Sequence, residues 1–435
     1  MVKKILKFCA MSMVAVFVLS SCRKEAPKNA VLPTPLTVSI PHAEDDGPTV
    51  LGEKLNNPYT LAIMEAARMN LQSKGITPSV ALNIRETHLY IKFSPKTELE
   101  LEELMKDTTV TFYDCPMDYE KLVVGNWYRE PGLADGVPTP QYAAVKTGYQ
   151  FNTAIAYSVM ERLYIPEEDL LLIGTYFDEN LDYLSELLNE AYSIGGVPTG
   201  WENHVLWPND PGSGDHGGGT PPPPNGRIMI NDTRLGRDIP MEGVKVTANR
   251  WFTTYKGYTN SNGDYWLDGG FDRPADYTIV FERSGFTIAK NRLQRAKVNR
   301  SNIPDNQWSH TITDGLDRMH GHMFRGAYRY FYKDNGGLKR PFLSNGWQVV
   351  VVSQNNSGHY WGSGVNAILI PYLFVTQYSN GSTEYGSDEI FSTTVHELAN
   401  TTHILTMNGG PIQSSQVNGI IRESWAWCRM VDNGH

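Results

Sequence analysis

Apolar and polar positions change rhythm several times along the chain, and those changes divide it. From Asn57 onward Leu61, Met64, Ala67 and Met69 recur at spacings that line one helix face. His88-Leu89-Tyr90-Ile91-Lys92-Phe93 alternates as a strand does, Glu98 to Lys106 reads as an acidic helix, and Thr109 to Tyr113 as a second strand. A strand, a helix and a strand so close together predict a small α/β unit. Tyr157 to Tyr164 and Leu181 to Tyr192 read as further helices. Periodicity then stops: Pro208 to Thr220 is Gly-rich and polar, and Pro221 to Pro224 is stiff. Beyond it Arg227 to Ile230, Val244 to Ala248, Asp264 to Leu267 and Tyr277 to Phe281 read as short strands. With Gly and Asn turns between them, they predict a small antiparallel sandwich. The last third reads as a helix over Arg318–Lys333, apolar β-rich runs over Trp347–Ser353 and Ala367–Tyr378, a helix over Glu389–Met407 and a final helix over Val417–Met430.

This organisation predicts an α+β, multidomain chain. Its divisions are a leader over 1–21, a tether over 22–45, an N-terminal α/β domain over 46–205, a Gly/Pro linker over 206–225, a β-sandwich over 226–298 and a C-terminal α+β domain over 299–435. The leader has its own pattern. Lys3, Lys4 and Lys7 precede an apolar stretch from Met11 to Leu19, broken only by Ser12. That order is a secretory signal peptide, too short to span a bilayer stably. Leu19-Ser20-Ser21-Cys22 resembles the lipobox of bacterial lipoproteins, which implies acylation of Cys22 and a membrane partner through that lipid. Arg23 follows the cysteine, which favours the outer membrane, facing periplasm or cell surface. Net charge is -9, which argues against nucleic acid as a partner. After Cys9 and Cys22, Cys115 and Cys428 remain, in different predicted domains, so no disulfide framework is expected.

Two further resemblances carry function. Asp232-Thr233, Ile239 to Val246 and Thr259-Asn260-Ser261-Asn262-Gly263-Asp264-Tyr265 look like the carboxypeptidase regulatory-like, transthyretin-like β-sandwich. Such a module implies spacing and docking, with no chemistry of its own. The second resemblance rests on Val395-His396-Glu397-Leu398-Ala399-Asn400-Thr401-Thr402-His403, followed by Arg422-Glu423-Ser424-Trp425-Ala426. In zinc peptidases a helix bears H-E-x-x-H; two imidazoles four residues apart share a face and meet one Zn²⁺, while the Glu acts as general base. The segment resembles the gluzincin branch, where a Glu on the next helix is the third ligand, and the order helix, strands, helix, helix is that of a zincin subdomain. The resemblance implies His396 as first ligand, Glu397 as base and Glu423 as third ligand.

The second ligand position is Asn400, and a neutral amide is outside the usual zinc set. His403, seven residues from His396, is about 10 Å away along a regular helix and cannot share the ion with it; it stands only as a possible additional site residue. An upstream imidazole, from His320, His322 or His359, is another source of a ligand. The expectation is a cell-envelope lipoprotein related to zinc metallopeptidases, its peptide hydrolysis impaired and its zinc occupancy open, hydrolysing or gripping a peptide or protein. The alternative is a non-catalytic surface lipoprotein binding glycan or protein. A zincin subdomain would be expected to run further than His435.

Overall fold

The computed structural model describes residues 47–79, 81–169, 180–197, 223–271, 273–304, 306–313, 315–333, 335, 340, 348–354, 372–376, 378–379 and 383–406. The leader, the tether, most of the Gly/Pro linker and the helix expected over Val417–Met430 lie outside the described residues.

The N-terminal elements are β1 (Val50–Lys54), α1 (Leu61–Ser73), β2 (His88–Ser94), α2 (Glu98–Met105), β3 (Tyr119–Val123), β4 (Gln141–Lys146), β5 (Ala156–Leu163) and α3 (Leu181–Gly195). Thr60 starts α1 by accepting the Ile63 amide, and Thr97 starts α2 by accepting that of Glu100. Met64, Ala67 and Leu71 form the buried face of α1, packed with Leu184, Leu187 and Ala191 of α3; Met69 points to solvent. β2 is the central strand of an antiparallel sheet ordered β4–β2–β5.

Two expectations fail here. Tyr157–Tyr164 reads as a helix, but the chain there forms β5, Ala156–Leu163. Its Met160-Glu161-Arg162-Leu163 are good helix formers, but pairing along the whole of β2 outweighs a local preference of a few tenths of a kcal/mol per residue. The strand expected over Thr109–Tyr113 is reduced to one bridge, Tyr113 to Tyr142. Asp107 accepts both the amide and the hydroxyl of Thr109, which holds the start of that run in a turn.

The middle of the chain contributes β6 (Asn225–Asp232), β7 (Arg237–Pro240), β8 (Lys245–Arg250), β9 (Thr253–Tyr258), β10 (Asp264–Trp266), β11 (Ala275–Val280), β12 (Glu282–Arg283), β13 (Phe286–Asn291), β14 (Gln294–Arg295), β15 (Lys297–Ile303) and β16 (His310–Ile312). One sheet runs β10–β6–β16 with β7 also on β6, and the second runs β15–β11–β8–β9. Ile228 and Ile230 from the first and Val246, Tyr277 and Ile279 from the second are buried in one core. The turn before β10 depends on Gly263: its φ is +79°, and an added Cβ would sit 2.4 Å from the Ile228 carbonyl. Asn260 Oδ1 completes that turn by accepting the amides of Asn262 and Asp264. At the β8–β9 turn Phe252 is buried in the N-terminal core, its ring 5.7 Å from Tyr59 and 5.0 Å from Tyr90.

The C-terminal part adds α4 (Gly315–Tyr332), β17 (Val349–Gln354), β18 (Tyr372–Thr376), β19 (Tyr378–Ser379), β20 (Thr383–Glu384) and α5 (Ser387–Thr406). β17 pairs in parallel with both β13 and β18, in a sheet ordered β12–β13–β17–β18 with β14 on β13. Phe286–Ala289 of β13 thus pair across the 298/299 division, and carry β12 and β14 with them into that sheet. Phe286, Ile288, Val349 and Val351 share the core with α4, while Ala289, Val350, Val352 and Phe374 cluster on the other face. Burial on both faces explains the unbroken valine run of a parallel strand. The fold class is α+β, with several antiparallel sheets and few helices. No described helix is long and apolar enough to cross a membrane.

Candidate metal centre on the C-terminal helix

The N-terminus of α5 is pinned to the turn after β6. Ser387 donates its hydroxyl to Asp232 Oδ1 at 2.6 Å and its amide to Thr233 Oγ1 at 2.9 Å. A carboxylate at this end meets the positive pole of the helix. Asp232 also accepts the amides of Arg234 and Leu235, and Arg325 of α4 reaches its other oxygen at 3.2 Å. Burial works to raise the Asp232 pKa, yet the Ser387 hydroxyl, the Leu235 amide and the Arg325 guanidinium together hold it below the usual carboxylate value. Midway along, α5 crosses α4 at Gly326, where a Cβ would lie 2.9 Å from the Phe391 carbonyl oxygen. Glycine at this point allows the two backbones to meet.

The Thr-rich second half of α5 stays helical while buried because its hydroxyls find partners within the helix. Thr394, Thr401 and Thr402 donate to the carbonyls of Ile390, Glu397 and Leu398, and Tyr330 of α4 shares a hydrogen bond with Thr402 at 3.0 Å. Ile390, Val395 and Leu398 enter the core. At 3.6 residues per turn His396 lies about 160° round the helix from Leu398. It is nonetheless only 4% exposed, and Glu397 only 6%. An imidazole and a carboxylate at consecutive positions, about 100° apart round the helix, are therefore both held away from bulk water.

The other expected site residues divide as follows. Asn400 lies one turn beyond His396 on α5 and His403 a further turn on; the side chains of both lie outside the described residues, as do Glu423, His359 and Cys22 entirely. His320 and His322 are buried on α4 but point to different neighbours, as an i, i+2 pair on a helix must. His320 Nε2 is 2.9 Å from Ser353 Oγ on β17, with Asp317 at 3.9 Å on its other side. His322 donates Nε2–H to the Asn231 carbonyl at 3.0 Å and accepts Arg325 at Nδ1, also at 3.0 Å, so both ring nitrogens are engaged. Burial and the adjacent guanidinium bring its pKa down to about 4. The Arg325–Asp232–Ser387 junction was not read from the sequence. In the sequence Asp232-Thr233 belongs to a β-sandwich pattern, and nothing local marks its contact more than 150 residues away.

Among the described residues no three His, Cys, Asp or Glu side chains converge closely enough to hold a metal ion. His396 and Glu397 by themselves do not fit Zn²⁺, which takes four ligands in structural sites and three protein ligands in catalytic ones. No catalytic step through zinc follows from these residues.

No protein-family model matches the chain, and no curated protein matches it. Among solved structures it is similar to an (S)-allantoin synthase, with 14% identity and a TM-score of 0.15 over 33% of this chain and 52% of that one. It is also similar to a 9R-lipoxygenase from Cyanothece PCC8801, with 13% identity and a TM-score of 0.13 over 45% of this chain and 26% of that one. The chain thus spans about half of the first and about a quarter of the second. At such TM-scores neither likeness bears on fold or activity.

Proposed function

We propose that this chain is a lipid-anchored cell-envelope protein descended from gluzincin peptidases, in which zinc-dependent peptide hydrolysis is impaired. One observation carries the reading. His396 and Glu397, consecutive on α5, are both buried, on a helix docked against α4 and β18 in the order helix, strands, helix that the sequence resemblance implies. In this reading residues 226–298 are a transthyretin-like module and the C-terminal part is a zincin-like domain. Cys22 carries the lipid that holds the protein at the outer membrane. The partners are that membrane and a peptide or protein; β18, the last strand on its path in the sheet among the described residues, is where an extended peptide would add.

His396 and Glu423 would hold the metal and Glu397 would serve as base, while Asn400 supplies an amide in place of the second imidazole. Loss of that ligand weakens zinc binding by orders of magnitude, since the ligand bonds supply most of the binding free energy. The expected state at physiological zinc is largely metal-free, a peptide-gripping relic of an enzyme. Equilibrium dialysis of the intact chain against zinc, read by elemental analysis, tests it. The wild type should hold well under one equivalent, Asn400→His close to one, and the same variant with His396→Ala none. If Asn400→His gains no zinc over the wild type, the peptidase descent is wrong.

A further inference from the structure

One face of the sheet β15–β11–β8–β9 is polar nearly throughout. Lys245 is paired with Tyr258 on one side and Val280 on the other, with Lys297 beyond. Thr247 is paired with Lys256 and Thr278, with Asn299 beyond, and Asn249 with Thr254 and Asp276. The residues between them on the same strands, Val246, Ala248, Tyr277, Ile279 and Val298, are buried. Such alternation is what an antiparallel sheet with one wet face requires, and by itself it implies no ligand.

The N-terminal part, however, is laced across that face without filling it. Lys121 pairs with Asp276 and Lys297 with Asp114, each at 2.6 Å. Tyr113 meets the Thr254 hydroxyl at 2.5 Å, and Asn299 donates to the Gly125 carbonyl at 2.8 Å. Between these ties lies a cavity of about 910 Å³, within the usual range for small-molecule sites. Its lining holds ten lysines and arginines against four carboxylates, a positive enclave in a chain of net charge -9. Lys121, Lys245 and Lys297 are each closed by a carboxylate of the wall, and Lys106, Arg292 and Arg295 by Glu103, Glu98 and Glu102 just beyond it, which leaves a smaller positive surplus. Lys256 and Arg283 have no carboxylate partner among the described residues. Arg283 lies over the Tyr258 ring, 3.9 Å from its centroid, which fixes the guanidinium by stacking. Thr247, Thr278 and Asn249 also line the cavity, Thr247 and Thr278 beside Lys256 in the register and Asn249 one pair further from Arg283.

We propose that this cavity binds a small polyhydroxylated organic anion, a carboxylated sugar, with Lys256 and Arg283 meeting the carboxylate and the threonine and asparagine side chains meeting the ring hydroxyls. Surplus positive charge in a walled cleft selects an anion, and the hydroxyl and amide rows suit a partner rich in hydroxyls. The site lies away from the α5 helix and does not depend on the metallopeptidase reading. A free sugar acid and the end of an acidic polysaccharide share this chemistry.

Calorimetric titration of the intact chain with sodium glucuronate, with glucose and with a trigalacturonate tests it. Lys256 is exposed on β9, the last strand on its sheet path, so Lys256→Glu leaves the fold intact. Glucuronate should bind in the submillimolar range and about tenfold more tightly than glucose. Its binding should weaken severalfold on raising salt from about 0.05 to about 0.5 M, and about tenfold or more in Lys256→Glu. Arg227→Gln, outside the cavity, should bind as the wild type does. Trigalacturonate binding more tightly than glucuronate would identify a polysaccharide end as the source, and equal or weaker binding a free sugar acid. Failure of both acids to bind at about 10 mM, equal affinity for glucose, or full affinity in Lys256→Glu would each overturn the proposal.

Discussion

Lowering the pH from 7 to 5 should weaken the fold through His322, because that imidazole is kept neutral in the folded state. It is fully buried, its Nε2–H is spent on Asn231 and its Nδ1 accepts from Arg325. Burial first, and the adjacent positive charge second, bring its pKa from the ordinary 6.5 to about 4. Between those values the unfolded chain binds a proton that the folded chain does not, so protonation favours unfolding. Stability from this group is fully present above pH 6.5 and is lost progressively as pH falls toward 4. At 1.36 kcal/mol per unit, the whole window amounts to about 3 kcal/mol, of which about 2 is gone by pH 5. The carboxylate of Asp232 is depressed and acts in a lower window, below its ordinary 3.8. Urea unfolding at pH 7, 6 and 5 measures the effect, with His322→Gln as a reference that keeps an amide donor for Asn231 and does not titrate. The wild type should lose about 2 kcal/mol more than the variant over that range. Equal pH slopes for the two proteins would refute the reasoning, because they would mean that folding does not shield His322 from protons.

Three further outcomes follow from packing. Phe252→Ala removes the ring that the β8–β9 turn places in the N-terminal core and should cost about 3–5 kcal/mol by chemical denaturation. Gly326→Ala should destabilise by about 1–2 kcal/mol by the same measure, because overpacking at the α4–α5 crossing outweighs the ~1 kcal/mol gained in helix propensity. Tyr265→Phe strips the hydroxyl that donates to the Trp308 carbonyl at 2.8 Å in the sandwich core, and should cost about 1–2 kcal/mol with little change in the slope of the unfolding curve.

Much of the α+β class was legible because many elements show their own period. Helices at Leu61–Ser73, Glu98–Met105, Leu181–Gly195, Gly315–Tyr332 and Ser387–Thr406 overlap the runs that read as helices, and β6, β8, β10 and β11 the runs that alternate, while β7, β9, β15 and β16 carry no such mark. What escaped depends on distant pairing. β5 carries helix-forming residues and exposes Tyr157 and Val159, so neither composition nor alternation marks it as a strand. β13 alternates as a sandwich strand would, and only the parallel ladder to Val349–Val352 assigns it to the third sheet. At the site, the spacing of His396, Glu397 and Asn400 was plain in the sequence, but the depth of the first two was not. A helix wheel puts His396 opposite the core-facing side, and its burial depends on tertiary structure that periodicity does not encode. The cationic cavity was missed for a related reason. Lys245, Thr247 and Asn249 look like an ordinary wet strand face until Asp114 and Lys121 are seen to reach across it.

Diffraction from crystals of Asn400→His grown with zinc, recorded on both sides of the zinc absorption edge, tests the central claim most directly. The account predicts one strong anomalous peak about 2 Å from a ring nitrogen of His396, with the imidazole introduced by that substitution and a carboxylate oxygen of Glu423 completing the protein shell. Density without a peak at His396, or a Glu423 carboxylate remote from that imidazole, would contradict descent from a zinc peptidase.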